Sequence, residues 1–323
     1  MLSNSFDYDS ARLINRVLTM YYVEERNQSE IAKLLGLSTA KVNRLLKQAK
    51  EDGLIEITIR TPFQHLFAVE DRLRQMYGLP EAVIIPTLAE DPDAVMQTVG
   101  RAAATYLLQN LRDGDTVCIS GGQGVYSVVQ AIEARRPYDV RIVPATGAVQ
   151  GRHYLDVNYL ATHLAEKLGG QAYELHAPYF VDTLEEREAV LSVRQIREVL
   201  DMARQAQISL TGIGAIIPET SSYFAMTGLG EADRNIIVDK EVAHGDICGN
   251  MFDAVGQPCA RQYSQRVVGL SFDELQTIPL RIGVAATEEK VLPIRGALKG
   301  KYLKTLITDE ATALRVLELD EKS

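Results

Sequence analysis

Cysteine is scarce in this chain: Cys118, Cys248 and Cys259 are three in 323 residues, odd in number and far apart. That argues against a disulfide framework and against a Cys-rich zinc site, and it points to a reduced cytoplasmic interior with thiols buried as small apolar groups. No apolar run approaches the ~18 to 20 residues of a membrane helix. The opening MLSNSFDYDSARLINR carries acids where a secretory signal carries cations, and it lacks an apolar h-region, so no export signal is read and no membrane partner is expected. The five histidines, at 65, 153, 163, 176 and 244, show no metal-ligand spacing such as HxxxH. GxSxG and a Walker lysine are missing, and GGQG at 121–124 is not GxGxxG. Neither metal nor cofactor nor catalytic residue is therefore assigned, although a general acid–base pair would leave little trace in sequence. Repeats and low-complexity tracts are also absent.

Positive charge is short overall. The formal net charge is −9. Residues 1–60 hold nine Lys/Arg against eight Asp/Glu, a balance of +1, so the remainder carries −10. An acidic body repels phosphate backbones, and any nucleic-acid contact falls to the N-terminal part. There, Thr39 to Lys50 contains four cations and no acid.

That basic run lies in QSEIAKLLGLSTAKVNRLLKQ, residues 28–48. Asn27 and Glu30 fit a capping box, and Ile31, Leu34 and Leu35 recur at helical spacing. Gly36 can end the helix in a left-handed conformation, and Ser38 can cap a second helix running to about Glu51. A short helix, a three-residue connection and a second helix make a helix-turn-helix. On a wheel the second helix gathers Val42, Leu45, Leu46 and Ala49 into one stripe. Ala40, Asn43, Arg44 and Lys47 point the other way, with Lys41 on the flank. Arg can bridge guanine O6 and N7, Asn can bridge adenine N6 and N7, and Lys favours phosphate. The candidate DNA-binding residues are thus Ser38, Thr39, Ala40, Lys41, Asn43, Arg44 and Lys47. ARLINRVLTMYYV before the pair reads as a third helix, and the alternation in Leu54–Arg60 reads as a wing strand or hairpin. The bland alternative is an amphipathic helix with a solvated basic face.

Leu66 to Tyr77 has apolar residues at 66, 69, 73 and 76, a short seam that can dock on its own body or pair with a partner chain. From Glu81 onward short β-branched runs alternate with amphipathic helices. The runs are 82–86, 116–120, 140–144, 208–214, 280–286 and 303–308; the helices lie near 95–111, 124–134, 157–168, 187–205, 288–299 and 309–317. This is a parallel α/β sheet covered on both faces. The fold class is α+β multidomain: a winged helix-turn-helix over 1–60, a linker helix over 61–80, and a Rossmann-like α/β domain over 81–323 for effector binding and oligomerisation.

Ligands of open α/β sheets bind at the carboxyl ends of strands. Gly121, Gly122, Gln123 and Gly124 follow one strand and open a helix, where free N–H groups can hold an anion or simply form a tight turn. Gly147, Gln150 and Arg152 follow the next strand, and Gly212 and Gly214 follow the ISLT strand. Asp246 sits in a Gly-flanked turn. Lys290 can reach a phosphate or pair with Glu288 or Glu289. Thr308 and Asp309, before the last helix, can cap it or accept from sugar hydroxyls.

These residues resemble the SorC family of sugar-responsive bacterial regulators, grouped with DeoR-type regulators. The likeness runs from about Leu13 to Leu317. It is carried by YYVEERNQSEIAKLLGLSTAKVNRLLKQAKEDGLIEITI, by IREVLDMA with GIG after it, by GDICGNMFDAVGQP, by RVVGLSFDELQTIP and by EEKVLPIRGALKGKYLKTLITDEATA. The last three are the specific ones. The resemblance implies a body with the fold of phosphosugar isomerases and glucosamine-phosphate deaminases, kept as a sensor. It implies that the loops at 121–124 and 146–152 and the segments holding Asp246, Lys290 and Thr308-Asp309 surround a phosphorylated sugar. It also implies a homodimer or homotetramer that binds operator DNA as a repressor of a carbohydrate or polyol catabolic operon. The first loop departs from the family's Trp, Gly and Arg or Thr pattern, which leaves another sugar phosphate, a polyol phosphate or an unphosphorylated polyol open as effector. The rival reading is an isomerase- or deaminase-type enzyme fused to a DNA-binding domain.

Overall fold

A computed structural model of the chain describes residues 8–56, 61–149 and 155–321. Its contacts divide it into two units, residues 1–62 and 63–323. In the first, α1 (Tyr8–Leu18) runs into a π-helical turn, Thr19–Val23. Helix α2 (Gln28–Leu35) starts at a complete capping box: Asn27 Oδ1 accepts from the Glu30 N–H at 3.0 Å, and Glu30 Oε2 accepts from the Asn27 N–H at 3.2 Å. Gly36 ends it at φ 64°, where a Cβ would be strained. Helix α3 (Thr39–Glu51) is capped by Ser38, whose Oγ accepts from the Lys41 N–H at 3.2 Å. Ile14, Val17 and Met20 pack with Ile31, Ala32, Val42, Leu45, Leu46 and Ala49 as the core of this unit.

One apolar position of α2 differs from its expected place. Leu34 is 55% exposed, because a two-turn helix can turn only one stripe inward and Ile31, Ala32 and Leu35 fill it. Leu54–Glu56 form no strand, and residues 57–60 of the expected wing lie outside the described residues. Asn27→Ala removes a cap and strands the Glu30 N–H. It is expected to cost the N-terminal unit about 1 kcal/mol, read as faster hydrogen exchange across residues 28–35 of the full chain.

The second unit holds a seven-stranded, all-parallel sheet. Its strands are β1 (Glu81–Ile85), β2 (Thr116–Ile119), β3 (Arg141–Pro144), β4 (Gln171–Ala172), β5 (Ile208–Gly212), β9 (Leu280–Val284) and β10 (Thr305–Asp309). A small antiparallel sheet consists of β6 (Gly214–Ala215), β7 (Gly245–Ile247) and β8 (Asn250–Phe252). The order across the large sheet is β1-β10-β9-β5-β2-β3-β4. The chain adds strands toward one edge after β2 and toward the other after β5. The order therefore reverses between β2 and β5, and a crevice opens there at the carboxyl ends. Helices cover both faces, so β2 is buried along its whole length and reads Thr-Val-Cys-Ile, without an exposed alternate face.

Helix α4 (Gln64–Tyr77) settles the seam left open by its spacing. Leu66, Val69 and Leu73 are buried in the same core as Ala82, Ile84, Val316 and Leu317. The Ile84 N–H donates to Glu70 Oε1 at 2.9 Å, and the Tyr77 hydroxyl donates to Asp320 Oδ2 at 2.9 Å. The helix docks on its own body.

Three expected elements are divided. The run 208–214 splits at Ile213 between the two sheets. The helix over 187–205 is two, Leu184–Ser192 and Arg194–Arg204, because Val193 is extended at ψ 123°. The stretch 288–299 begins as a 3-10 turn, Glu288–Lys290, before the helix Val291–Lys299.

Candidate functional site

The structure assembles two candidate sites, one in each unit. In the first, Val42, Leu45, Leu46 and Ala49 seat α3 in the core. Thr39, Ala40, Asn43, Arg44 and Lys47 are exposed, and Lys41 is half-buried on the flank. Ser38 is consumed as the cap. Lys47 pairs with Glu51 at 3.8 Å across one exposed turn, a contact too weak to hold it from a phosphate.

In the second unit a cavity of about 340 Å³ opens where the strand order reverses. Gly121, Gly122, Gln123 and Gly124 line it from the end of β2, Gly147 from beyond β3, and Gly212 and Gly214 from the end of β5. Asp246 enters from β7 and Lys290 from the turn after β9. Gly122 is the N-cap of the helix Gln123–Ala131, with φ 102° and ψ 171° and no side-chain cap. The first N–H groups of that helix are thus left for a ligand. Gly214 has a different reason to be glycine. A Cβ there would lie 1.9 Å from Asp246 Oδ1, so the carboxylate rests directly on the bare backbone.

Asp246 Oδ2 accepts from the Gly249 N–H at 3.0 Å. Burial pushes the Asp246 carboxyl upward, while that N–H and the Lys290 ammonium pull it back. Burial in turn pushes Lys290 down, opposed by Glu289 and Asp246. Its contact with Glu289 is long, 3.9 Å. Lys290 is therefore a half-buried cation that lines the same cavity as the buried Asp246 carboxylate and keeps a long ion pair with Glu289. Such a donor–acceptor pair suits a ligand that brings both hydroxyls and an anionic group.

Two expected contacts are placed elsewhere. Thr308 and Asp309 are 0% and 2% exposed and do not line the cavity. Asp309 is the last residue of β10. It accepts from Thr87 Oγ1 at 2.7 Å, from the Thr312 N–H at 3.3 Å and from Thr312 Oγ1, so its acceptor capacity is spent inside the fold. Gln150 and Arg152 lie outside the described residues.

Two lining residues other than glycine have positive φ, Cys248 at 53° and Thr287 at 89°. Thr287 has φ 89° and ψ 159°, a region almost confined to glycine, which costs a β-branched residue on the order of 1–3 kcal/mol.

Comparison with known proteins matches the regions that hold both sites. The family model described as "Putative sugar-binding domain" matches residues 61–318, and that described as "Sigma-70, region 4" matches residues 15–51. The deoxyribonucleoside regulator of Bacillus subtilis (strain 168) is 31% identical over 314 residues, spanning 95% of this chain and 97% of that protein. The sorbitol operon regulator of Klebsiella pneumoniae is 28% identical over 316 residues, 96% of this chain and 99% of that protein. The crystal structure of full-length SorC from that organism superposes with a TM-score of 0.73 at 27% identity, covering 97% of this chain and all of that one. The chain belongs to the SorC family.

It is accordingly a DNA-binding transcriptional regulator with a sugar-binding domain. Several lining residues of this SorC-type cavity carry no sequence signal. Asp156 is one; its carboxylate accepts from the N–H groups of Val149, Asn158 and Tyr159 at 3.0, 2.9 and 3.3 Å and thereby anchors the start of the loop after β3. Tyr179 and Tyr223 also line it, buried in an aromatic cluster with Phe180 and Phe224. Burial, then the nearby Asp246, pushes both phenols upward, so they stay protonated donors. An aromatic in a helical or loop segment looks like ordinary core until the fold shows what it faces. Among the described residues no helix is long and apolar enough to cross a membrane.

Proposed function

We propose that this regulator represses a carbohydrate or polyol catabolic operon, binding its operator through α3 as a homodimer or homotetramer, and that a small phosphorylated sugar or polyol in the cavity changes its operator affinity. The observation that carries this reading is that Lys290 and Asp246 line one cavity at the strand-order reversal together with Gln123 and Gly124, the first residues of a helix without a side-chain cap. Lys290 and the first N–H groups of that helix receive the anionic end. Asp246 accepts from hydroxyls, with Gly214 leaving room for its carboxylate. The relatives' names, sorbitol operon regulator, deoxyribonucleoside regulator and erythritol catabolism regulatory protein, support the chemical class. Recognition by Ser38–Lys47 is supported by the exposed basic face of α3.

The test is a gel-shift titration on the DNA flanking the regulator's own operon, with and without deoxyribose 5-phosphate, sorbitol 6-phosphate and erythritol 4-phosphate. A change in operator affinity with one of them is expected, and by linkage operator DNA must change that compound's affinity by the same factor. Unchanged affinity throughout counts against the reading, and so does turnover of any of them. One helix-turn-helix makes few contacts, and linking two raises effective concentration. Analytical ultracentrifugation of the full chain is therefore expected to give a dimer or larger. A monomer that grips a palindromic operator tightly contradicts this.

A further inference from the structure

We propose that Asp309 and Thr312, buried outside the cavity, are positioning residues for the effector site: they hold Thr287 in its strained conformation and so set the turn that carries Lys290. The proposal rests on reading the cavity as the effector site.

The hydrogen-bond directions can be assigned one by one. The Thr287 N–H donates to Thr312 Oγ1 at 2.9 Å. A threonine hydroxyl has one proton, and Thr312 gives it to Asp309 Oδ1, leaving a lone pair turned to Thr287. Thr87 Oγ1 donates to the other carboxylate oxygen at 2.7 Å and accepts from the Ala311 N–H at 2.9 Å. The Thr287 N–H also reaches Asp309 Oδ1, at 3.5 Å, so both members of the Asp309–Thr312 pair hold it. The Asp309 carboxylate is fixed from both sides, the Thr312 hydroxyl is fixed by Asp309, and the Thr287 N–H is fixed chiefly by Thr312. All four residues lie at the carboxyl ends of β1, β9 and β10, because parallel pairing brings Ile85 beside Asp309.

The strain lies on the cavity side of this chain. At φ 89° Thr287 occupies backbone space that only glycine takes freely. A residue stays there only where its surroundings over-determine it, and such residues gather at functional sites. The consequence is local. The Thr287 carbonyl accepts from the Lys290 N–H at 3.0 Å and starts the turn Glu288–Lys290. Rotating Thr287 to negative φ swings that turn, and with it Lys290, away from Asp246. The buried Thr–Asp–Thr relay therefore serves the fold only in part; its remaining effect is felt at the ammonium that meets the effector.

The test exploits the one residue that needs no clamp. Full-length wild type, Thr312→Val, Asp309→Asn and the double variant Thr287→Gly/Thr312→Val are melted with and without the same three sugar and polyol phosphates. Thr312→Val is nearly isosteric and removes the acceptor for the Thr287 N–H together with one donor to Asp309. The expected result is that it loses most of the probe-induced rise in Tm, that Asp309→Asn loses part of it, and that glycine at 287 restores it by adopting positive φ unaided. A merely structural role for Thr312 would not be rescued by glycine at a second site. A full rise in Thr312→Val, or a double variant as unresponsive as Thr312→Val, overturns the proposal. If no probe shifts wild type, the effector reading has failed instead, and the clamp is judged without ligand. Thr287→Gly must then raise Tm in wild type and leave it unchanged in Thr312→Val. Equal gains in both backgrounds overturn it.

Discussion

Replacing Arg44 by alanine is expected to lower affinity for the cognate operator by roughly one to two orders of magnitude more than for random DNA, the worth of one bidentate base contact. The reason is positional. Arg44 is exposed on α3 directly opposite the buried Val42–Leu45–Leu46 stripe, so it is the long donor that reaches furthest when that stripe is seated. Lys47→Ala is the control. Lys47 is one turn further along, exposed, and tied only loosely to Glu51. A phosphate contact there is blind to sequence, so its loss weakens both kinds of DNA alike and reduces the salt slope by about 1. Gel-shift titrations at several salt concentrations separate the two outcomes. If both substitutions are without effect, α3 is not the recognition helix.

The second large effect concerns the effector response. A compound at a hundred times its Kd stabilises the chain by about 2.7 kcal/mol, several degrees in Tm. Lys290→Ala and Gly122→Val are each expected to abolish that shift while leaving operator binding in place: the first removes the cation, the second forces a β-branched side chain onto φ 102°. Gly214→Ala should do the same for another reason, since its Cβ would collide with the Asp246 carboxylate. Gly212→Ala is the contrast, because nothing lies within 4 Å of a Cβ there. Thermal melting of the four full-length variants with deoxyribose, sorbitol and erythritol phosphates decides the matter. A Gly214→Ala protein that responds like wild type would show that Asp246 does not touch the effector.

Much of the fold could be read in advance, and the successes share a cause. Asn27 with Glu30, Ser38 with Lys41, and the Val42–Ala49 stripe all depend on neighbours within four residues, so their spacing already contains the geometry. The six strand runs were legible because strands covered on both faces are short, β-branched and mostly apolar. The small sheet of β6, β7 and β8 was not, since strands of two or three residues in glycine-rich segments show no period. Leu34 was misplaced because helical spacing says which residues share a face and nothing about how wide the buried stripe will be.

The cavity was legible in part. Gly121–Gly124, Gly147, Gly212, Gly214, Asp246 and Lys290 do converge, as the rule for strand ends requires. Asp309 does not, although it also ends a strand. β10 lies two places from β5 in the sheet, and Thr87 and Thr312 close over its carboxylate before any ligand can. The sequence by itself determined the family, the exposed basic face of α3 and the strand ends that carry glycine, because these rest on local spacing and on residue types in order along the chain. Only the tertiary structure decided which strand ends are neighbours, that Tyr179, Tyr223 and Asp156 join them, and that Asp309 lies behind Thr287, bonded through Thr312. Those facts depend on strand order and side-chain direction across 100 to 200 residues of chain, a scale at which no local periodicity survives.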